Sequence, residues 1–391
     1  MSRLLAILLM LALAAPAVGE ERAKPGVDPV TGQTRVKPTK DAIKKAIQRG
    51  VQHLLDTQRK DGSWGGPAPN LHVDIYAPKP GSNRAFTVGA SALALSALIE
   101  LDSDRADVKA AIRKGTTYLM GRYGVRRQRP DTLYNVWAHM YCLEAFARLL
   151  AREKAEEPRK RLRKAAEGCV AWLNRMEFVE GGWGYFNFGE KTRDPGPGST
   201  SFTTASGVVA LAMAREQGIA VPQKLIDKAN KLIKRCAIPG GSFAYSFGTR
   251  FWATHGRNGN INRTKGSLAR TPVCLLAWDM TGVAVDTKRF VQALDELEKY
   301  GHFLRLARKY PFPHETWYQN SGYFCLYGYY YAAMTIDRTP KAKQAEYKRQ
   351  IAGHILTMQE KDGSWWDYQL YRTHKPYGTG YALMTLYRCR P

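Results

Sequence analysis

The chain has 391 residues, 44% of them hydrophobic and 24% charged, and its formal net charge is +25. A field of this sign attracts anions without specifying which, and the sequence contains no phosphate-binding loop, self-sufficient nucleophile motif or paired-metal motif. The six cysteines show no metal-type spacing and lie in predicted helices, where small buried side chains are wanted. A metal site is therefore not predicted, and disulfide pairing stays open.

The N-terminus has the pattern of a secretory signal peptide, residues 1–19. Arg3 precedes a short apolar run, and small residues follow it at a cleavage site. The run is too short to span a bilayer, and no other stretch is apolar enough to do so. Residues 20–39 are rich in charge and proline, which predicts a flexible leader. We expect an exported protein without a transmembrane segment, whose mature chain begins near Glu20 and has a charge of +24 after loss of Arg3.

A seven-residue stretch recurs near the two ends of the remaining chain. It reads Gln-Arg-Lys-Asp-Gly-Ser-Trp at 58–64 and Gln-Glu-Lys-Asp-Gly-Ser-Trp at 359–365. Partial copies end at Trp183 and Phe243, so that the repeat interval is about fifty to sixty residues. Each copy lies where a helical pattern stops, with glycine at a position that needs positive φ and the aromatic residue as a buried plug. One repeat is therefore one helical pair.

Hydrophobic periodicity predicts six such pairs within residues 40–391. The outer helices are amphipathic, and we place them near 40–58, 106–121, 157–177, 222–236, 287–307 and 341–358. The inner helices are apolar on most sides and rich in small residues, and we place them near 86–100, 133–150, 202–216, 272–282, 321–336 and 379–389. This pattern predicts an all-α fold, a single α/α toroid in which outer helices wrap a ring of inner helices.

The full repeat has a basic residue, a small residue, an aromatic and an aliphatic position before Q-x-x-x-G-x-W. In this it resembles the repeat of the squalene and oxidosqualene cyclases and of the protein prenyltransferase β subunits. The resemblance covers nearly all of residues 40–390 and implies the α/α toroid of those proteins. The D-x-D-D motif with which such cyclases protonate their substrate and the D-x-C pair of the prenyltransferase zinc site are both missing. No metal and no cofactor is therefore predicted.

The predicted connections that follow outer helices are the long ones. If the inner helices run parallel, as in the resembled family, these loops gather at one rim above the inner helix N-termini, and long loops on a rigid scaffold often carry sites. A histidine beside a carboxylate can exchange protons near neutral pH. Carboxylates available at this rim are Asp74, Asp131, Glu315 and Asp367. The candidate catalytic residues are His139, His255, His314 and Glu315. The candidate substrate-binding residues are Tyr327, Tyr323, Trp137, Arg257 and Arg270.

Two functions from different classes fit these features. The favoured one is an enzyme or binder of an isoprenoid or other lipid in an aromatic-lined central cavity, because aromatic rings stabilise carbocations in the resembled cyclases. The alternative is an exported carbohydrate-active toroid acting on an acidic glycan, since helical toroids also host glycan lyases and hydrolases and a basic cleft suits uronates or sulfates. A non-catalytic binding scaffold is a third interpretation. No nucleic-acid partner is predicted.

Overall fold

The structure is a computed structural model that describes residues 36–66, 80–126, 136–185, 198–251, 257–370 and 372–390. Within these ranges the chain is helical, with two isolated β-bridges and no strand. The helices are α1 (Lys40–Thr57), α2 (Pro80–Leu101), α3 (Ala106–Arg122), α4 (Val136–Leu150), α5 (Glu156–Arg175), α6 (Ser201–Glu216), α7 (Gln223–Cys236), α8 (Thr264–Ser267), α9 (Arg270–Met280), α10 (Thr287–Tyr300), α11 (His302–Ala307), α12 (Phe324–Thr335), α13 (Lys341–Thr357) and α14 (His374–Arg388).

Six of these helices form a closed inner ring. Helices α2, α4, α6, α9, α12 and α14 contact one another in this order, and α14 contacts α2. The inner helices are buried on nearly all sides, because each has two inner neighbours and an outer helix behind it. The outer helices α1, α3, α5, α7, α10 and α13 bury one face each. The predicted α/α toroid with six inner and six outer helices is confirmed.

Glycines accompany two of the departures from the predicted helix bounds. The predicted outer helix 287–307 is broken at Gly301, where an added Cβ would lie 2.4 Å from the carbonyl oxygen of Leu297. Helix α14 begins at His374, five residues before its predicted start. Gly380 in α14 allows close packing, since a Cβ there would lie 2.8 Å from the backbone of Leu93 in α2. The glycines near the start of α14 therefore lie within the helix, where they allow it to pack closely on its neighbours.

Each repeat copy ends an outer helix and fills the space behind the turn. Trp64, Trp183 and Trp365 are fully buried. The indole Nε1 of each donates to the backbone carbonyl ten residues earlier, at 2.7, 2.8 and 2.8 Å. Gly62 and Gly363 have φ values of 87° and 84°. The predicted roles of the motif's glycine and tryptophan are therefore confirmed.

The same motif joins each repeat to the next. Gln58 Nε2 donates to a backbone carbonyl of α3 at 2.9 Å, and Gln359 Nε2 donates to a backbone carbonyl of α1 at 3.0 Å. The ring of Trp365 also packs on Gly50 of α1, where an added Cβ would lie 2.6 Å from it. The last copy therefore holds the first outer helix and closes the ring.

Packing in the core explains both the long apolar stretch in α2 and the positions of the six cysteines. Asn83–Leu101, within α2, is long and apolar enough to cross a membrane, but 78% of its apolar window is buried inside the protein. Its faces pack against α4 and α14. All six cysteines are buried free thiols. Their spacing along the chain reflects core positions in helices.

Candidate functional site

The N-terminal parts of the inner helices, together with residues of the preceding loops, line a cavity of about 140 Å³. A dry cavity of about 150 Å³ holds one benzene molecule, so this space suits a single ring-sized ligand. Eleven of its 17 lining residues are aromatic. The lining consists of Ala85, Phe86, Gly89, Ala90, Leu93, Trp137, Tyr141, Tyr185, Phe202, Tyr323, Phe324, Tyr327, Tyr368, Leu370, Thr373, Tyr377 and Tyr381.

Three aromatic pairs spaced four residues apart supply much of this wall. They are Trp137 with Tyr141, Tyr323 with Tyr327, and Tyr377 with Tyr381. The spacing puts both rings of a pair on one helical face. Trp137 stacks on Tyr141 with ring centroids 5.4 Å apart, and Tyr327 packs edge-on against Trp137 at 6.2 Å. The start of each of these inner helices is therefore marked by rings that face the cavity.

A buried ion network lies behind Tyr381, which lines the cavity and packs on Tyr330. Glu144 of α4 accepts hydrogen bonds from two α12 tyrosines and from Arg148 Nη1, the latter at 3.1 Å. Arg148 Nε donates to Glu100 at 2.6 Å, and Arg388 binds the same carboxylate. Burial alone raises the pKa of Glu100, but the two guanidinium groups outweigh it and lower the pKa to about 2. These charges are matched in pairs, which is the condition for keeping them buried.

Asp367 forms the first acid/base pair at the cavity, together with Tyr377. The Asp367 side chain is fully buried; its Oδ1 accepts from the Tyr377 hydroxyl at 2.6 Å, and its Oδ2 accepts from the backbone N–H of Leu326 at 2.8 Å. Burial raises the pKa of Asp367 to about 6, although both hydrogen bonds lower it. Because Tyr377 lines the cavity, the pair places a carboxylate with a raised pKa one hydrogen bond behind the wall, an arrangement that suits proton transfer.

His314 forms the second pair, with Tyr323. Its Nδ1 lies 2.8 Å from the backbone carbonyl of Gln319, which fixes the proton on that nitrogen. Its Nε2 therefore accepts from the Tyr323 hydroxyl at 3.2 Å. The hydroxyl of Tyr185 lies 3.1 Å from that of Tyr323 and also contacts the hydroxyl of Tyr245. Two tyrosines of the cavity wall, Tyr185 and Tyr323, are thus linked through their hydroxyls to the His314 imidazole, whose pKa is lowered by burial.

The structure places the predicted substrate-binding residues unequally. Trp137, Tyr323 and Tyr327 line the cavity. Arg270 lies behind the wall, with its guanidinium carbon 6.0 Å from the ring centroid of Phe324. The side chain of Arg257 lies outside the described residues. The aromatic candidates therefore converge, and the described arginine sits one layer back.

The predicted catalytic residues are dispersed. His314 is one hydrogen bond behind the cavity wall, whereas His139 is fully buried with its ring stacked on Trp172 of α5 at 5.4 Å. Burial lowers the pKa of His139 to about 4. Glu315 is exposed at the surface, and His255 lies outside the described residues. His139 and Glu315 thus correct the expected convergence, because the side chain of one points to an outer helix and that of the other to solvent.

Sequence reasoning passed over several residues that the structure brings to the cavity. The sequence indicates Asp367 only as one of four possible carboxylates, of which Asp74 and Asp131 lie outside the described residues. Tyr141, Tyr377 and Tyr381 are not among the predicted site residues. The aromatic pairs spaced by four at the starts of inner helices are the signal that would have found all three.

Comparisons with known proteins bear on the fold. No family model matches the chain, and no curated protein matches its sequence. Solved structures do match: a D-mannose isomerase (12% identity, TM-score 0.54, 91% of this chain and 99% of that one) and a sugar epimerase from a ruminal bacterium (10%, 0.53, 88% and 98%). A possible member of the GH105 family from Klebsiella pneumoniae subsp. pneumoniae MGH 78578 also matches (11%, 0.50, 92% and 96%). At this identity the likeness shows the fold alone.

These findings correct the family resemblance. The matching structures named above are a D-mannose isomerase, a sugar epimerase and a possible GH105 member, so the predicted kinship with squalene cyclases and prenyltransferases is wrong, and the isoprenoid or lipid function loses its support. The physical reason is that the repeat ends a helix and joins two helical pairs, which any α/α toroid requires. Among the described residues, no three His, Cys, Asp or Glu side chains are close enough together to hold a metal ion.

Proposed function

We propose that the protein is an exported carbohydrate-active toroid that binds one sugar ring of an acidic glycan in its central cavity. The observation that carries this proposal is the cavity itself, which has about the volume of one ring and is walled by aromatic side chains that carry hydroxyl groups. The C–H faces of a pyranose pack on aromatic rings, and its hydroxyls exchange hydrogen bonds with tyrosine hydroxyls.

The electrostatic balance supports an acidic ligand. The formal charge of +25 attracts polyanions to the protein over distances greater than a contact. Uronic acids and sulfate esters are the anions that glycans carry. The signal-peptide pattern of residues 1–19 would bring the protein to the compartment where such glycans occur.

The acid/base pairs support a reaction and not binding alone. Tyr377 with Asp367, and Tyr323 with His314, each combine a tyrosine of the cavity wall with a proton acceptor behind it. Such pairs suit proton transfer at a sugar carbon or at a glycosidic oxygen. The names of the matching structures, an isomerase, an epimerase and a possible GH105 member, agree with sugar chemistry.

Calorimetric titration with saccharides, together with product analysis on uronic-acid polysaccharides, tests the proposal. We expect saccharide binding to weaken by about tenfold in Trp137→Ala, because one stacking ring is lost from the cavity. The matched control is Trp317→Ala, which removes an indole that is 65% exposed and outside the cavity wall. If no saccharide binds, or if both variants behave alike, the proposal fails.

A further inference from the structure

Arg270 is a buried cation that the acid/base pairs do not use. Its side chain is 1% exposed, and its guanidinium donates to three backbone carbonyls, including Gly266 O at 2.9 Å and Phe243 O at 3.2 Å. Its Nε has no hydrogen-bond partner within the described residues. No carboxylate in the described part of the chain forms an ion pair with it, whereas Arg148 of the ion network is matched by Glu144 and Glu100.

Arg270 lies one layer behind one end of the cavity. The guanidinium carbon lies 5.7 Å from the ring centroid of Tyr245 and 6.0 Å from that of Phe324. The Tyr245 hydroxyl contacts that of Tyr185, which with Tyr323 lines the cavity. Burial is the main cause that lowers the pKa of His314, and the Arg270 charge lowers it further, so the field of Arg270 reaches this group of side chains.

We propose that the Tyr185 and Tyr323 end of the cavity is the subsite for the anionic group of the sugar, with Arg270 as its specificity-determining charge. This inference rests on the proposed function and assigns the ligand's orientation within it. On binding, the Tyr323 hydroxyl turns its proton from His314 Nε2 to the anion, and Arg270 stabilises the negative charge from behind the aromatic wall.

The other end of the cavity, at Tyr377, has a carboxylate behind it instead of a cation, and this supports the assignment. Asp367 stands behind that hydroxyl, so an anion placed there would face a carboxylate. A sugar acid therefore binds with its charged group toward Arg270 and the rest of its ring toward Tyr377. The shared chemistry is a carboxylate or a sulfate ester, and separate ligands distinguish the two.

The test compares three ligands by calorimetry on the full exported protein: methyl glucoside, methyl glucuronide and methyl glucoside 6-sulfate. We expect one of the anionic sugars to bind about tenfold more tightly than the neutral one. The better anion identifies the group as carboxylate or sulfate. If none of the three sugars binds, the proposed function is overturned. If all bind equally, the proposed function stands and only this inference is overturned.

Variants then locate the preference. Arg270→Met should abolish the anion preference, while Arg289→Met, which removes the same charge from a half-buried arginine packed on Phe243 and Trp278, should keep it. Arg270 also supports backbone carbonyls, so Tyr323→Phe provides a second variant that leaves the cation in place and removes one hydroxyl. It should reduce the preference. An unchanged preference in folded Arg270→Met or in Tyr323→Phe overturns the assignment.

Discussion

The contact between Trp365 and Gly50 allows a quantitative test of how the ring closes. Trp365 is 0% exposed, and its indole joins the last repeat to α1 of the first. Truncation of a buried tryptophan to alanine typically costs about 3–5 kcal/mol. The change also leaves the Ile355 carbonyl, now bound at 2.8 Å by Nε1, without that donor. We expect Trp365→Ala to lower the free energy of unfolding by about 4 kcal/mol.

Gly50→Ala tests the same contact from the other side. The added Cβ would lie 2.6 Å from the Trp365 ring, closer than real Cβ contacts. Overpacking of this kind costs about 1–3 kcal/mol. In the Trp365→Ala background the clash with the indole disappears and only the Leu383 side chain, whose Cδ2 would lie 2.9 Å from the added Cβ, still has to shift, so Gly50→Ala should cost less. The two substitutions should therefore couple by about 1–3 kcal/mol in a double-mutant cycle.

Urea unfolding followed by far-ultraviolet circular dichroism measures these quantities without relying on the deleted indole. Trp317→Ala, at an exposed position, is the control and should change stability by less than about 0.5 kcal/mol. The pair Trp64 and Gly115, in which an added Cβ would lie 2.9 Å from the indole, is the equivalent contact inside the ring. A loss below about 1 kcal/mol for Trp365→Ala, or an equal cost of Gly50→Ala in both backgrounds, would refute the reasoning.

Three further outcomes are expected. Burial raises the pKa of Asp367 to about 6, so its bound proton stabilises the folded state fully below about pH 4, and this stabilisation is lost as the pH rises through 6. In urea titrations at a series of pH values, the wild type should therefore lose about 3 kcal/mol of unfolding free energy over this window relative to Asp367→Asn. His139 behaves oppositely, since burial lowers its pKa to about 4, so stability is full above about pH 6.5 and falls as pH drops toward 4. His139→Phe should remove about 3 kcal/mol of that acid sensitivity, and an unchanged acid midpoint would contradict the assignment. N-terminal sequencing of protein from the natural host should find a start near Glu20, and an intact Met1 in the cytosol would rule out export.

The helical architecture was predictable because its signals are local. Small and apolar residues around the whole helix mark the inner ring, and a glycine followed by a buried tryptophan marks the ends of outer helices. The orientation of His139 was also contained in the sequence. Trp137 and Tyr141 define the inward face of α4, and residue 139 lies about 200° around the helix from Trp137. The histidine therefore had to face α5, where it stacks on Trp172.

The remainder of the site depends on loop paths that no local pattern specifies. His314 has a φ of 63° and is held by contacts with Gln319 and Tyr323. Asp367 is placed by Leu326, which lies 41 residues away in the sequence. Such long-range hydrogen bonds form only after the ring has closed, so the sequence could offer these residues as candidates without bringing them together. The family resemblance failed for a related reason, because the repeat encodes helix joining and carries no information about the cavity.

One of the two strict copies of the repeat, at 359–365, stands where the ring must close without a covalent link, whereas the copy at 58–64 joins α1 to α3 inside the ring. Neighbouring repeats elsewhere are connected through the chain, whereas the last repeat meets the first only through non-covalent contacts such as those of Gln359 and Trp365. Closing a loop of this length has an entropic cost that those contacts must offset. The helices that meet at the same seam, α14 and α2, contribute Tyr377 and Phe86 to the cavity wall. Because one seam carries both sets of contacts, the geometry at Tyr377 and Asp367 depends on the same packing that holds the toroid shut.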